Sequence, residues 1–359
     1  MIVPRFDLSA MAEAEHGGGI ARLEHEQPIL DFSASINPFG PPPGVAAAIG
    51  RARVDRYPDR DATEFRTAVG AFLDVSVDRL IAGNGSTELL YLVALGYLRP
   101  GDLVLAIGPT YSEYARVSHL MGANVLQCDA SIDTQFSVPV DEIEFLLNTR
   151  QPRAVFLCNP NNPTGQAVST AVCERWFATF SDTLFVIDEA YIEFAQGVAS
   201  LVRTPGDNVV VIRSMTKAFG LAGLRLGYAV ADPQIILTLC RIRPPWSVSS
   251  PAQAAGLAAI AGADYVERSI QILVDEKAKL YRSLQHSGWT VYPSLTHFFL
   301  LDSGKRIDLL TSLQEKRIRI RKCDSFGHSN LVRISAQRPT ENSVLCDVLK
   351  TLMWKVAIR

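Results

Sequence analysis

Short, almost wholly apolar runs constrain this chain more than any other feature. "LVLAIG" (103–108), "AVFLC" (154–158), "TLFVID" (183–188) and "VVVIR" (209–213) are of this kind. A strand with one wet face alternates polar and apolar residues. A continuous run is covered on both faces, as in a parallel sheet sandwiched by helices. Between and around these runs, "TEFRTAVGAFL" (63–73), "STELLYLVALGYL" (86–98), "TAVCERWFATF" (170–180) and "PQIILTLCRI" (233–242) have helical spacing. The alternation predicts an α/β domain with a mostly parallel, doubly wound sheet.

The ends of the chain read differently. Residues 1–45 carry "EHGGG" and "NPFGPPPG", a Gly and Pro density that breaks helices. They are assigned to an N-terminal arm that joins a smaller domain. The large domain is assigned to 46–245. After "RPPWSVSSP" (243–251) a long helical stretch, about 252–287, leads into "TVYPSLTHFFLLD", "RIRIRKC", "LVRISA" and a last helix. That order predicts a small α+β domain over 246–359.

Composition narrows the class of function. The 359 residues are 48% hydrophobic, ample for a large core. A net charge of -2 argues against nucleic acid as a partner. No apolar run approaches the roughly 20 residues of a membrane span. The start of the chain has no signal-peptide pattern. Six scattered cysteines without a C-x-x-C pair predict reduced thiols in a cytoplasmic protein and no metal site.

In an open α/β sheet, ligands bind beyond the C-terminal ends of the strands. Four polar clusters fall at such ends. In "AGNGSTE" (82–88), Gly83 and Gly85 precede a helix whose first amides, on Ser86 and Thr87, can hold an anion; the same residues also fit an ordinary turn capped by Ser86. "CNPNNPTG" (158–165) is either a rigid turn or a source of side-chain amides for a ring oxygen. Asp188, in "VIDEAY", needs a partner if buried: a salt bridge, or a protonated ring nitrogen. Lys217, in "SMTKAFGLAGLRLG", stands among small and apolar residues. Such a lysine either lays its stem along apolar surface or has a lowered pKa and acts as an amine nucleophile.

Anion loop, asparagine turn, aspartate, lysine and arginine follow one another in this order. In that order the chain resembles, from about residue 30 to its end, the aspartate-aminotransferase-like, fold type I enzymes that use pyridoxal 5'-phosphate (PLP). "S-x-T-K" followed by "G-L-R-L-G" is the most specific part of the likeness. The resemblance implies an α/β PLP-dependent transferase fold and a set of roles. Lys217 carries the cofactor covalently. Gly85, Ser86, Thr87, Ser214 and Arg225 hold its phosphate. Asp188 pairs with the ring nitrogen, Asn162 and Tyr191 bond the ring 3'-oxygen, and Tyr111 stacks on the ring. The catalytic residues are then Lys217, Asp188 and Tyr191. Tyr57, in "RYPD", resembles a tyrosine that reaches the cofactor phosphate of a neighbouring subunit, which implies a homodimer with shared sites. Arg333, in "LVRISA", matches the arginine that clamps a substrate carboxylate, where a bidentate fork suits the task.

Two branches of this family share these elements: the histidinol-phosphate aminotransferases and the L-threonine-O-3-phosphate decarboxylases. "EHGGGIARL", "LDFSASINPFGPP", "PPWSVS" and "RIRIRKC" lean towards the decarboxylases, although Gly19 stands where they usually have Asn. A phosphorylated amino acid carries two anions. Arg333 takes one in this reading, and Arg321, His16 and the Gly17 and Gly18 backbone take the other. Asn37 and Asn162 are further substrate contacts, although Asn37 also suits the turn before Pro38. The expectation is a PLP-dependent carboxy-lyase making aminopropanol phosphate for cobalamin, with a histidinol-phosphate-type aminotransferase, or a specialised-pathway enzyme on the same scaffold, as the alternatives.

Overall fold

The computed structural model describes residues 29–204, 206–304 and 309–357. A short first strand, β1 (Leu30–Asp31), leads through a loop into helices α1 (Val45–Arg51) and α2 (Thr63–Leu73). Strand β2 (Leu80–Asn84) runs directly into α3 (Gly85–Tyr97). There follow β3 (Leu103–Gly108), α4 (Glu113–Leu120), β4 (Asn124–Asp129), α5 (Val140–Arg150), β5 (Ala154–Cys158), α6 (Thr170–Thr179) and β6 (Leu184–Asp188). β7 (Val209–Ser214), β8 (Leu226–Ala231) and α7 (Pro233–Ile242) complete the unit.

These strands form one seven-stranded sheet in the order β2-β8-β7-β6-β5-β3-β4. β8 is antiparallel to both its neighbours; β7, β6, β5, β3 and β4 pair in parallel. The four apolar runs are the buried centre of this sheet, as their lack of alternation predicts. The sequence reading passed over two strands. β4 is an edge strand, half exposed, so "NVLQCD" has no continuous apolar run. In "LGYAVA" of β8 every second residue is small, Gly227, Ala229 and Ala231, and Gly227 lies flush against its neighbours: a Cβ there would stand 2.7 Å from the Ser86 amide nitrogen and 2.9 Å from the Arg213 carbonyl.

The helical stretch expected over 252–287 is two helices, α8 (Ser250–Ala261) and α9 (Ala263–His286), broken at Gly262. Glycine at 262 also answers to a long-range contact. Pro42 packs so closely that a Cβ on residue 262 would sit 2.5 Å from it. Beyond α9 come β9 (Phe298–Asp302), α10 (Leu309–Glu315), β10 (Ile318–Arg319), β11 (Arg321–Lys322), β12 (Leu331–Ser335) and α11 (Pro339–Ala357). "RIRIRKC" therefore does not run as one strand. β10 pairs in parallel with β1, and β11 pairs antiparallel with β12, which pairs with β9.

One apolar core lies around the large sheet. It draws in Ala252, Ala255 and Ala259 of α8 and Val266, Ile270 and Leu273 of α9, so it extends past residue 246. A second core, with Phe32, Leu284, Trp289, Phe299 and Leu345, lies around the C-terminal strands. α9 serves both. Among the described residues no helix is long and apolar enough to cross a membrane, and no cluster of His, Cys, Asp and Glu could hold a metal ion.

Candidate active site

The strand ends converge on a cavity of about 360 Å³. Ser86, Thr87, Tyr111, Asn162, Asp188, Tyr191, Lys217, Arg225, Arg321 and Arg333 all line it. The sheet explains the convergence. Register sets Cys158 beside Asp188, and Asp188 beside Ile212. β8, inserted between β7 and β2, brings Lys217 and Arg225 next to the start of α3.

At one end of the cavity is an anion cradle. Arg225 adopts a left-handed backbone (φ 54°), an uncommon and costly conformation for a non-glycine residue. Its guanidinium lies against Gly85, itself at φ 75°, where a Cβ would come within 2.6 Å of Nη2. Glycine at 85 and 227 thus lets Arg225, the Ser86 amide and the first turn of α3 close on one point. Free amides, helix dipole and guanidinium together suit a phosphate. Gly227→Ala is expected to push this cradle apart. Its Cβ would meet backbone atoms that cannot rotate away, costing about 1–3 kcal/mol by overpacking. An equilibrium titration with PLP should show clearly weaker binding; unchanged affinity would mean that the cradle does not hold the phosphate.

In the middle of the cavity stand Asp188 and Lys217. Asp188 is buried; its Oδ2 accepts from the Tyr114 hydroxyl at 2.8 Å and its Oδ1 from the Ala190 amide at 3.0 Å. Burial pushes its carboxyl up from the usual range, opposed by those two donors and by Lys217. No salt bridge satisfies it among the described residues, which leaves room for a cationic partner. Burial first, then Arg333 and Arg225, brings the Lys217 ammonium down to about 8. Its Nζ stands over the Tyr191 ring, 5.7 Å from the centroid. Burial raises the Tyr191 phenol, and pushes Tyr111 up to about 12. Both remain protonated donors at neutral pH.

At the other end are two arginines. Arg321 and Arg333 are direct partners across β11 and β12, so their side chains leave the same face. Arg333 is buried. Its Nη1 donates to Asn162 Oδ1, its Nη2 donates to the Ser33 carbonyl at 2.7 Å, and it packs over Phe298. Arg321 Nη2 donates to Ser325 Oγ at 3.0 Å. Lys322, the next residue, is exposed on the opposite face.

Some expected site residues lie elsewhere. Ser214 stands behind the wall, its hydroxyl paired with Thr216 at 2.7 Å, and Thr216 is the one that lines the cavity. Asn37 is not among the lining residues. Its side-chain nitrogen donates to the Ala218 carbonyl and to Ser269, and its oxygen accepts from Phe39, which is the turn-setting alternative. Tyr57 is 77% exposed and stacks on Trp246, with ring centroids 4.4 Å apart. His16 and Gly17 lie outside the described residues. The structure also adds wall residues that the sequence reading missed: Ser33 to Ile36 of the N-terminal segment, Tyr114, Cys158, Thr216 and Phe326. Two carried a signal: Tyr114 lies three residues after Tyr111, and Thr216 directly before Lys217.

The chain belongs to the aminotransferase class I and II family, which it matches over residues 27–349. Within that family it is 34% identical over 341 residues to a histidinol-phosphate aminotransferase of Symbiobacterium thermophilum, covering 90% of this chain and 91% of that protein. It is 30% identical over 356 residues to the adenosylcobalamin biosynthesis bifunctional protein CobDQ of Leptospira interrogans, covering 95% of this chain and 41% of that one. The crystal structure of L-threonine-O-3-phosphate decarboxylase from Porphyromonas gingivalis superimposes with a TM-score of 0.80 at 25% identity, covering 91% of this chain and 100% of that one. The fold is type I, and the chain is a PLP-dependent enzyme.

Proposed function

We propose that the chain is an aminotransferase of the histidinol-phosphate type. The cationic end of the cavity, with Arg321 and Arg333 side by side, suits a phosphorylated substrate in either branch; the observation that carries the choice is the 34% identity to a histidinol-phosphate aminotransferase over 90% of the chain. A transaminase takes two substrates in turn at one place, here a phosphate ester and then an acidic keto acid, and two adjacent guanidinium groups suit both. The aminotransferase relatives support this order of preference, which reverses the one drawn from "EHGGG" and "PPWSVS". The decarboxylase reading stands second, supported by the CobDQ relative and the decarboxylase structure.

Bound PLP supplies an electron sink for the bond broken at the substrate Cα. The chain does the rest. Ser86, Thr87, Thr216 and Arg225 hold the phosphate, with Ser214 supporting Thr216 from behind. Asp188 keeps a proton on the ring nitrogen. Tyr191 and Asn162 fix the ring oxygen, and Tyr111 covers one face. Lys217, with its lowered pKa, would take the proton from the substrate Cα and deliver it to C4' of the cofactor. Arg333 and Arg321 hold the anionic group of the substrate so that its Cα–H bond is the one presented to the electron sink. A second copy of the chain completes each site with Tyr57, which is why that residue is exposed beside Trp246 here.

Histidinol phosphate with 2-oxoglutarate should yield glutamate, while O-phospho-L-threonine alone should release no carbon dioxide. The reverse pattern moves the protein to the decarboxylase branch. Within either branch, Arg333→Lys is expected to raise the substrate KM roughly 10- to 100-fold and leave the cofactor absorbance intact, because a point charge cannot replace a fork. Loss of bound cofactor in that variant would show that Arg333 serves PLP instead.

A further inference from the structure

Tyr114 is placed where no role has yet been assigned to it. It is fully buried on α4, its ring stacked on Phe156 of β5 at 5.4 Å and edge-on to Tyr111 at 5.6 Å. The polar neighbours of its hydroxyl are Asp188 and Cys158. The hydroxyl donates to Asp188 Oδ2 at 2.8 Å. Cys158 Sγ, which donates to the Pro160 carbonyl at 3.2 Å, flanks the same hydroxyl. Cys158 and Asp188 are register partners on adjacent strands, so this arrangement is built into the sheet rather than into a loop.

We propose that Tyr114 is a positioning residue that decides where the proton between Asp188 and the cofactor ring nitrogen resides. The inference rests on the PLP reading of the site. Two arrangements of the pair differ by one proton transfer. In one, the ring nitrogen is protonated and Asp188 is an anion. In the other, the ring is neutral and Asp188 is a neutral acid. A buried site with little water favours the neutral pair, since burial disfavours charge. Donors to the carboxylate favour the charged pair, because a hydrogen bond to an ion is the stronger kind. Asp188 has two such donors, the Ala190 amide and Tyr114. The amide is fixed by the backbone. The phenol is the adjustable one, and burial keeps its proton in place over the working pH range. Without it the proton moves towards Asp188 and the ring loses its pull on electrons from Cα.

This position also separates Tyr114 from Tyr111, three residues earlier and on the same wall. The Tyr111 hydroxyl lies near Thr87 and the phosphate end; the Tyr114 hydroxyl lies at Asp188 and Cys158.

The test uses holoenzyme carrying PLP labelled with nitrogen-15 in its ring. Wild type should show a protonated ring nitrogen. In Tyr114→Phe the resonance should move towards the neutral-pyridine position, and kcat should fall roughly tenfold with little change in KM, the effect of one hydrogen bond to a charged group. Tyr114→3-fluorotyrosine, a more acidic phenol and hence a stronger donor, should keep or strengthen the protonated signal. It retains the whole side chain, so it still gives an answer if the phenylalanine variant does not fold. A protonated ring in Tyr114→Phe indistinguishable from wild type would overturn the inference. So would a fluorotyrosine variant whose resonance moves towards the neutral position. If wild type itself shows no protonated ring, the Asp188–ring pairing in the PLP reading fails first, and the inference falls with it.

Discussion

Replacing Lys217 with alanine is expected to abolish turnover while leaving the fold and much of the phosphate cradle intact. The side chain combines two functions that no neighbour can take over. It is an amine that burial brings down to about 8, so roughly a tenth is neutral and nucleophilic at pH 7, where an ordinary lysine is almost wholly charged. It is also the base within reach of the substrate Cα. Loss of general acid–base catalysis alone costs 10²- to 10⁴-fold, and loss of covalent attachment adds to that. Arg225 and Arg333 cannot substitute, since a guanidinium does not give up its proton. PLP should still bind through Ser86, Thr87, Thr216 and Arg225, but without the absorbance of the lysine-linked cofactor. Turnover within tenfold of wild type would remove Lys217 from the centre of the mechanism.

Asp188→Ala carries the second largest effect, and it has two halves that point in opposite directions. With cofactor bound, activity should fall at least roughly 100-fold, because the ring nitrogen loses the carboxylate that keeps it protonated. Without cofactor, the variant should be as stable as wild type or more so. Wild-type apoprotein buries a carboxylate with two donors and no salt bridge among the described residues, and an underpaired buried charge is costly. Melting of the two apoproteins checks this. A marked loss of apoprotein stability in Asp188→Ala would mean that Asp188 is structural and that its partner is within the protein.

Much of this site was legible in the sequence because its carriers are strands. An unbroken apolar run fixes where a strand ends, and the polar residue at that end faces the crevice. That rule put Asp188, and the turns that carry Asn162 and Lys217, among the candidates; the resemblance carried by "S-x-T-K" and "G-L-R-L-G" singled them out together with Arg225. What was not legible depended on contacts distant in sequence, or on the phase of a turn. Whether Ser214 or Thr216 faces the cavity is set by the turn after β7, and the sequence offers both hydroxyls. Asn37 reads as a binding residue until α9 supplies Ser269 to take its amide. The need for glycine at 262, where the long helix breaks, is set by Pro42, 220 positions away in sequence. β8 is hidden because glycine and alanine take every second place in it, and at Gly227 the close packing of the cradle requires glycine. Arg321 alternates in a charged run that suits either a solvated edge or a site; only its register against Arg333 puts it on the cavity wall.

The most direct test of the account is the site of cofactor attachment. Holoprotein reduced with borohydride and cut into peptides should carry the pyridoxyl group on Lys217 alone. Lys277 is a fair competitor within the same chain, half-buried and brought down by burial to about 8 as well, but bonded to the Ser294 carbonyl and absent from the cavity wall. Label on Lys217 confirms that the cavity, its cradle and its aspartate serve one cofactor. Label on Lys277, or none, would contradict the account at its centre.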